Sequence, residues 1–389
     1  MNQHILSMNR RKIMKRVFLA GVMAVVMGVT GCSAASSQQS TSAAALQSES
    51  ADIQSESADA QTESAENLRA SETAVSSGEA AADAVPGESG AQDTAGAGQN
   101  GGMGGMTDYK KDDTVLQNMI STVVPRFRQF TYTDSETGKT VAYNLYIPED
   151  YDASRSYPLV YYIADSSVVG QETTAPLTQG YGGIIWATDE EQAKHESFVL
   201  VPEYPEMVLD DHDGYQTTDY MEMTVRLLQS VESEYSVDTG RIYATGQSMG
   251  CMIFMYLAAE HPDLFAAELF VDGQWDITQL SGLESQKYFY FAAEGDSKAS
   301  EGQKEVMDML AADKVSYSTA EWDAGWTTDE FRTAVSSILA EGNTINCVQW
   351  KLGTVLPEGV SVGTSEHMYS FDHAYTTEGV RDWLFAQSK

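Results

Sequence analysis

The stretch RIYATGQSMGCMIFMYLAAE, residues 241–260, constrains the fold more than any other part of the chain. Ile242, Tyr243, Ala244 and Thr245 favour a strand that stops at Gly246. Met249, Met252, Ile253, Tyr256 and Leu257 then recur at helical spacing until His261 and Pro262 end the helix. Between the two elements, Gly246, Gln247, Ser248, Met249 and Gly250 form a G-x-S-x-G motif with a serine at the apex of a sharp strand-to-helix turn. The pentapeptide alone arises easily by chance, and its flanks give it meaning. A side chain at either glycine would obstruct the close approach that such a turn requires. The rest of the chain must therefore supply a buried sheet and the helices that cover it.

Residues 112–389, roughly 280 in number, are enough for one large α/β domain. Residues 127–133 and 140–147 read as antiparallel strands joined by a turn at 135–138. YPLVYYIA (157–164) and SFVLV (197–201) are continuous apolar runs of the kind buried on both faces of a parallel sheet. Residues 219–235 have a helical period, with Met223, Val225, Leu227, Leu228 and Val231 on the inner face. After the elbow, 265–271 and 287–293 read as two further buried strands. The pattern predicts a doubly wound, mostly parallel sheet with antiparallel N-terminal strands, whose ligands bind outside the carboxyl ends of the strands. Ser248 stands at such an end. Residues 321–343, with Trp322 and Trp326, read as a cap or insertion whose aromatics serve packing or a substrate ring.

The first 111 residues are of a different kind. Arg10, Arg11, Lys12, Lys15 and Arg16 precede an apolar run over 17–29, a secretory signal too short for a membrane span. Val29-Thr30-Gly31-Cys32 resembles the lipobox of bacterial lipoproteins, which implies a signal peptide over 1–31 and a lipid on Cys32. Residues 32–111 are rich in Ser, Ala, Glu and Gly with almost no large apolar side chain, so they cannot offset the entropy of ordering and read as a disordered tether. The expected location is the cell envelope outside the cytoplasm, with the membrane reached through the N-terminal lipid only.

Of the formal net charge of −34, about −29 belongs to residues 107–389, because residues 33–106 hold eleven acids against one base and the leader adds five bases. Such an acidic surface argues against nucleic acid or anionic lipid as a partner. With Cys32 assigned to lipid, Cys251 and Cys347 do not make a disulfide scaffold, though this compartment permits a bridge between them.

A serine hydroxyl needs a base within hydrogen-bond reach and a third group to orient that base. In α/β-hydrolases the order along the chain is Ser, then Asp or Glu, then His. YFYFAA (288–293) is a late strand followed by Glu294, Gly295 and Asp296, which makes Asp296 the leading acid. Asp272, one strand earlier, is the second candidate and Glu294 the third. Only His367 and His373 lie beyond Asp296, where a loop enters an amphipathic last helix, and either satisfies the order. His4, His195, His212 and His261 come too early.

Over most of residues 127–389 the chain resembles secreted bacterial α/β-hydrolases of the esterase-like "predicted peptidase" family, related to polyhydroxybutyrate depolymerases and feruloyl esterases. The likeness rests on YNLYIPEDYDASRSYPLVYYI, VDTGRIYATGQSMG, AAEGD and AYTTEGVRDWLFAQ. That family closes with a His, an aromatic a few residues on, then A-Y and W-L-F, which implies His367 as the base with Phe371 where the family usually has Trp. Members usually carry His-Gly after the first parallel strand to bind the oxyanion, whereas here Asp165, Ser166 and Ser167 follow Ile163 and Ala164. The resemblance implies backbone N–H donors from Met249 and from Asp165 or Ser166. A second glycine usually follows the elbow, and Cys251 replaces it.

Gln247 and Trp275 are candidates to line the substrate cleft. Glu203, Asp210, Asp211, His212 and Asp213 have no recognisable ligand spacing and read as a solvated loop, so no metal is expected. No phosphate-binding loop or dinucleotide fingerprint is evident, and no cofactor is expected. The sequence thus predicts a lipid-anchored serine hydrolase acting on a small ester. A peptidase on short peptides and a catalytically weak surface binding protein are the alternatives.

Overall fold

The computed structural model describes residues 108–389 apart from 213 and 364. The leader, Cys32 and nearly all of the tether lie outside the described residues. The first described turn, Asp108–Lys111, is a 3-10 helix that begins within the stretch read as tether. Helix α1 (Thr114–Val123) follows, capped by the Asp113 side chain, which accepts from the Val115 and Leu116 N–H groups.

Strands β1 (Arg128–Thr133) and β2 (Thr140–Tyr146) make the expected antiparallel hairpin. β3 (Tyr157–Ile163) is buried at every position. A loop with the short helices α2 (Ala175–Thr178) and α3 (Asp189–Lys194) leads to β4 (Phe198–Glu203), also buried throughout. β5 (Leu209–Asp210) and β6 (Gln216–Thr217) form a small separate hairpin, followed by α4 (Asp219–Glu234). The elbow comes next, with β7 (Val237–Gln247) running into α5 (Met249–Glu260). Then follow β8 (Ala267–Val271), β9 (Tyr288–Ala293), α6 (Ser297–Asp313), β10 (Ser318–Trp322), α7 (Thr328–Leu339) and β11 (Ile345–Trp350). Helices α8 (His367–Thr376) and α9 (Glu378–Phe385) complete the chain.

Among the described residues nine strands form one sheet in the order β1-β2-β4-β3-β7-β8-β9-β11-β10. Pairing is antiparallel for β1/β2 and β2/β4 and parallel for every other neighbour. This is the doubly wound, mostly parallel arrangement expected from the alternation of apolar runs and helices, and it has the α/β-hydrolase form that the resemblance implies. Side chains of α4, α5 and α6 cover one face, and those of α1, α7, α8 and α9 cover the other. Helix α5 is buried around nearly its whole circumference, which is why it is apolar on all sides rather than striped.

The segment read as a cap belongs to the core layers, starting at the end of the edge strand β10 and continuing into α7 on the face of the sheet. Trp322 ends the edge strand β10 and is buried against Phe291, Phe331 and Trp350. Trp326 packs on Phe331, with the Lys351 ammonium over its ring. An edge strand needs only one apolar face, so STAEW, with Thr319 and Glu321 exposed, does not look like a strand from its composition. Cys251 and Cys347 are both buried free thiols. Among the described residues no helix is long and apolar enough to cross a membrane.

Candidate active site

Ser248 joins β7 to α5 with φ 51° and ψ −117°, a conformation that side chains rarely adopt. The glycines make it attainable. A Cβ on Gly246 would come 2.5 Å from the Gly250 carbonyl carbon, and one on Gly250 would collide with the Ile163 carbonyl at the end of β3. The Ser248 N–H donates to the Val271 carbonyl at 3.0 Å, which fixes the elbow to the end of β8.

His367 is the first residue of α8 rather than part of a loop. Its Nε2 lies 2.8 Å from Ser248 Oγ and its Nδ1 lies 2.5 Å from Asp296 Oδ2. A carboxylate can only accept, so the Nδ1 proton belongs to this bond and Nε2 is left to accept from the serine hydroxyl. Asp296 follows β9 and is the N-cap of α6, where its Oδ1 accepts from the Ala299 N–H at 3.3 Å. Both partners of the imidazole therefore sit at strand ends that the sheet holds in place.

His373 lies further along α8, with its ring against Trp350 and its carbonyl accepting from Thr376 and Thr377. The structure does not bring it to Ser248. Asp272 is also outside direct reach of the imidazole: its carboxylate accepts from Ser370 Oγ at 2.6 Å and from the Ala293 N–H at 2.7 Å. Glu294 accepts from the Leu352 N–H at 2.9 Å instead of facing the histidine.

Asp165 begins a short 3-10 turn (Ser166–Val168) and is 1% exposed. Its Oδ1 accepts from the Ser167 N–H at 2.8 Å and its Oδ2 from Gln247 Nε2 at 2.9 Å. Gln247 Nε2 also reaches Gln179 Oε1 at 3.0 Å, and Gln179 Nε2 donates to Ser167 Oγ at 2.8 Å. The acidic side chain is thereby held by the loop and the elbow. Met249 is the first residue of α5, so its N–H has no acceptor within the helix.

Gln247 and Trp275 do not line an open cleft. Gln247 is buried in the network just described, and Trp275 lies beneath Tyr215 and Tyr256 with Nε1 bonded to Gln279. Residue type after a strand end does not reveal which way the side chain turns. Asp210, Asp211 and His212 have ligand atoms within 4.8 Å of one another, but Lys298 Nζ and Gln274 Nε2 occupy Asp211 Oδ2 at 3.2 and 2.7 Å.

Sequence reasoning overlooked Glu366. Fully buried, it accepts from the Gly295 and Gly353 N–H groups at 3.0 and 2.5 Å and so braces the loop that presents Asp296. Its position just before the histidine is the one signal that points to it. The acidic groups that act on the imidazole are Asp296, Asp272 and Asp165. Burial, the largest influence, pulls the His367 pKa down, but the Asp296 hydrogen bond and the charges of Asp296, Asp272 and Asp165 outweigh it, and the net direction is upward.

Comparison with known proteins bears on the fold. Residues 135–271, from the turn after β1 to the end of β8, match the Esterase family model. Among solved structures the chain is similar to a thermostable esterase, with 24% identity and a TM-score of 0.56 over 69% of this chain. The match spans 64% of that esterase, less than two thirds of its length. A mutant of the feruloyl esterase module from Clostridium thermocellum, complexed with sinapinate, matches over 66% of this chain and 89% of that one, at 13% identity and a TM-score of 0.42. An S-formylglutathione hydrolase from Staphylococcus aureus matches over 67% and 98%, at 12% identity and a TM-score of 0.39. Curated protein sequences provide no match. The Esterase match covers residues 135–271 only, and the likeness to the thermostable esterase is one of fold.

Proposed function

We propose that the chain is a carboxylic ester hydrolase that works through an acyl-enzyme, with Ser248 as nucleophile, His367 as base and Asp296 as the group that orients the base. The observation that carries this reading is the continuous hydrogen-bonded line from Ser248 Oγ through both imidazole nitrogens to Asp296. In the first half-reaction Ser248 Oγ attacks the ester carbonyl carbon while its proton passes to Nε2. The tetrahedral intermediate collapses as the Nε2 proton moves to the departing alcohol oxygen. In the second half-reaction water, deprotonated at Nε2, attacks the acyl carbon, and the proton returns to Ser248 Oγ. The Met249 N–H and an N–H from Asp165 or Ser166 bind the oxyanion, each such donor supporting the transition state by roughly 3–4 kcal/mol.

The Esterase match favours an ester over an amide substrate. The lipobox-like Val29-Thr30-Gly31-Cys32 supports an extracytoplasmic protein anchored through lipid on Cys32, and membrane fractionation of Cys32→Ser tests that part separately. The activity is tested by comparing turnover of p-nitrophenyl acetate, a feruloyl ester and a peptide amide by the full chain and by Ser248→Ala. Ester hydrolysis that disappears in Ser248→Ala supports the reading. Faster cleavage of the amide favours a peptidase, and absence of turnover in a folded protein favours a binding protein.

A further inference from the structure

We propose that Asp272 and Ser370 form a buried carboxylate–hydroxyl pair that positions His367 from behind, as a second support beside Asp296. The inference rests on the hydrolase reading and adds to it a pair of residues that neither touches the serine nor faces the substrate.

The Asp272 carboxylate bonds to the segments that carry Asp296 and His367, and its backbone adjoins the residue that holds Ser248. Asp272 Oδ1 accepts from the N–H of Ala293, the last residue of β9 and three residues before Asp296. Its Oδ2 accepts from Ser370 Oγ at 2.6 Å, and Ser370 lies one turn after His367 on the same face of α8. Ser370 Oγ is also 3.0 Å from the His367 carbonyl oxygen. On the Ser248 side, Asp272 directly follows Val271, whose carbonyl holds the Ser248 N–H.

The arrangement is expensive, which argues against an incidental origin. Asp272 is fully buried, and its backbone has φ 43°, so an ionisable side chain occupies a left-handed position close to Ser248, whose φ is 51°. Among the described residues neither a lysine nor an arginine hydrogen-bonds or pairs with it, its carboxylate partners being Ala293 and Ser370. The titratable groups facing it are Asp296 from the start of α6, His367 and Tyr375 from α8, Cys251 from α5 and Tyr290 from β9. Burial and then the Asp296 charge push its pKa up, against the bonds from Ser370 and Ala293 and the nearby imidazole.

A hydroxyl has one proton, so Ser370 cannot donate to Asp272 and to the His367 carbonyl together. With Asp272 ionised, Ser370 donates to it and the negative charge favours the protonated imidazole. With Asp272 protonated, the carboxyl donates to Ser370 Oγ and Ser370 turns to the His367 carbonyl. Asparagine reproduces the second state, because its amide donates to Ser370 while its oxygen accepts from Ala293.

The test uses the full chain with Asp272→Asn and Ser370→Ala. The imidazole of His367 is followed by NMR in a Ser248→Ala background, where turnover plays no part, and the pH profile of kcat/KM is measured with Ser248 intact. Asp272→Asn is expected to move the imidazole midpoint and the acid limb of the profile to lower pH. Ser370→Ala is expected to reduce kcat on the order of 10-fold at unchanged KM while the midpoint stays near wild type. An Asp272→Asn titration superimposable on wild type overturns the proposal, as does undiminished kcat in Ser370→Ala. If Asp272→Asn does not fold, Ser370→Ala decides: reduced kcat at constant KM supports the pair and wild-type kcat overturns it. A wild-type protein without ester turnover sinks the hydrolase reading instead, and the NMR titration still decides on Asp272.

Discussion

Gln247 donates to Asp165 across 2.9 Å, and this bond ties the nucleophile elbow to the loop at the end of β3. It explains how an acidic residue is accommodated beside a site that develops negative charge. Both carboxylate oxygens are engaged, one by the Ser167 N–H and the other by an amide inside the G-x-S-x-G motif. A polar residue between Gly246 and Ser248 thereby acts on the geometry of the opposite loop.

Gln247→Leu leaves the buried Asp165 carboxylate with one donor. Stability is expected to fall by roughly 1–3 kcal/mol. The loop loses its register with the elbow, so kcat is expected to fall on the order of 10-fold or more with little change in KM. Thermal denaturation and steady-state ester kinetics check this, and wild-type kcat in the variant contradicts the role given to the bond.

The two late histidines are separable by mutation. His367→Ala removes the base and is expected to lower kcat by roughly 10⁴-fold or more. His373→Ala trims a ring that packs on Trp350 and is expected to leave kcat within about tenfold once folding is verified by circular dichroism. Retained turnover without His367 refutes the assignment.

The pH dependence has a definite sign. A general base works in its neutral form, and the surroundings of His367 raise its pKa, so kcat/KM is expected to fall as pH drops through a value above the ordinary histidine value of about 6.5. A pH profile of ester hydrolysis measures it. An acid limb at or below that ordinary value contradicts the account of three carboxylates acting on one imidazole.

On the same sheet, Glu268 is fully buried with neither carboxylate oxygen hydrogen-bonded to protein, and burial pushes its pKa well up. A carboxyl group whose folded pKa is raised contributes stability that is fully present below the unfolded value of about 4.3 and is lost as pH rises through the folded one. Glu268→Gln has no charge to lose. Its stability relative to wild type is therefore expected to increase from pH 5 to pH 8 in denaturant unfolding. A difference that stays constant over that range would show that Glu268 is not held neutral by the fold.

Much of this was legible in the chain because the relevant signals are local. Continuous apolar runs such as YPLVYYI report burial on both faces of a sheet, and Ser248 and Asp296 follow strand ends that can be read one at a time, whereas the preference for His367 over His373 rests on the family resemblance. Orientation is not local. Nothing in the type of Trp275 or Gln247 shows that both turn inward, and STAEW hides an edge strand because half of its side chains meet water. The pairings of Asp272 with Ser370 and of Glu366 with Gly295 escape for a related reason. The partners lie 98 residues apart in the first and 71 in the second, so only the folded chain brings them together.

The most direct measurement is covalent capture of the nucleophile. The full chain is treated with a fluorophosphonate and digested, and the modified peptide is identified by mass spectrometry. A single phosphonyl adduct on Ser248, absent from His367→Ala and present in His373→Ala, is the predicted result. A folded protein that takes no label, or takes it on another residue, contradicts the claim that Ser248, His367 and Asp296 work as one unit.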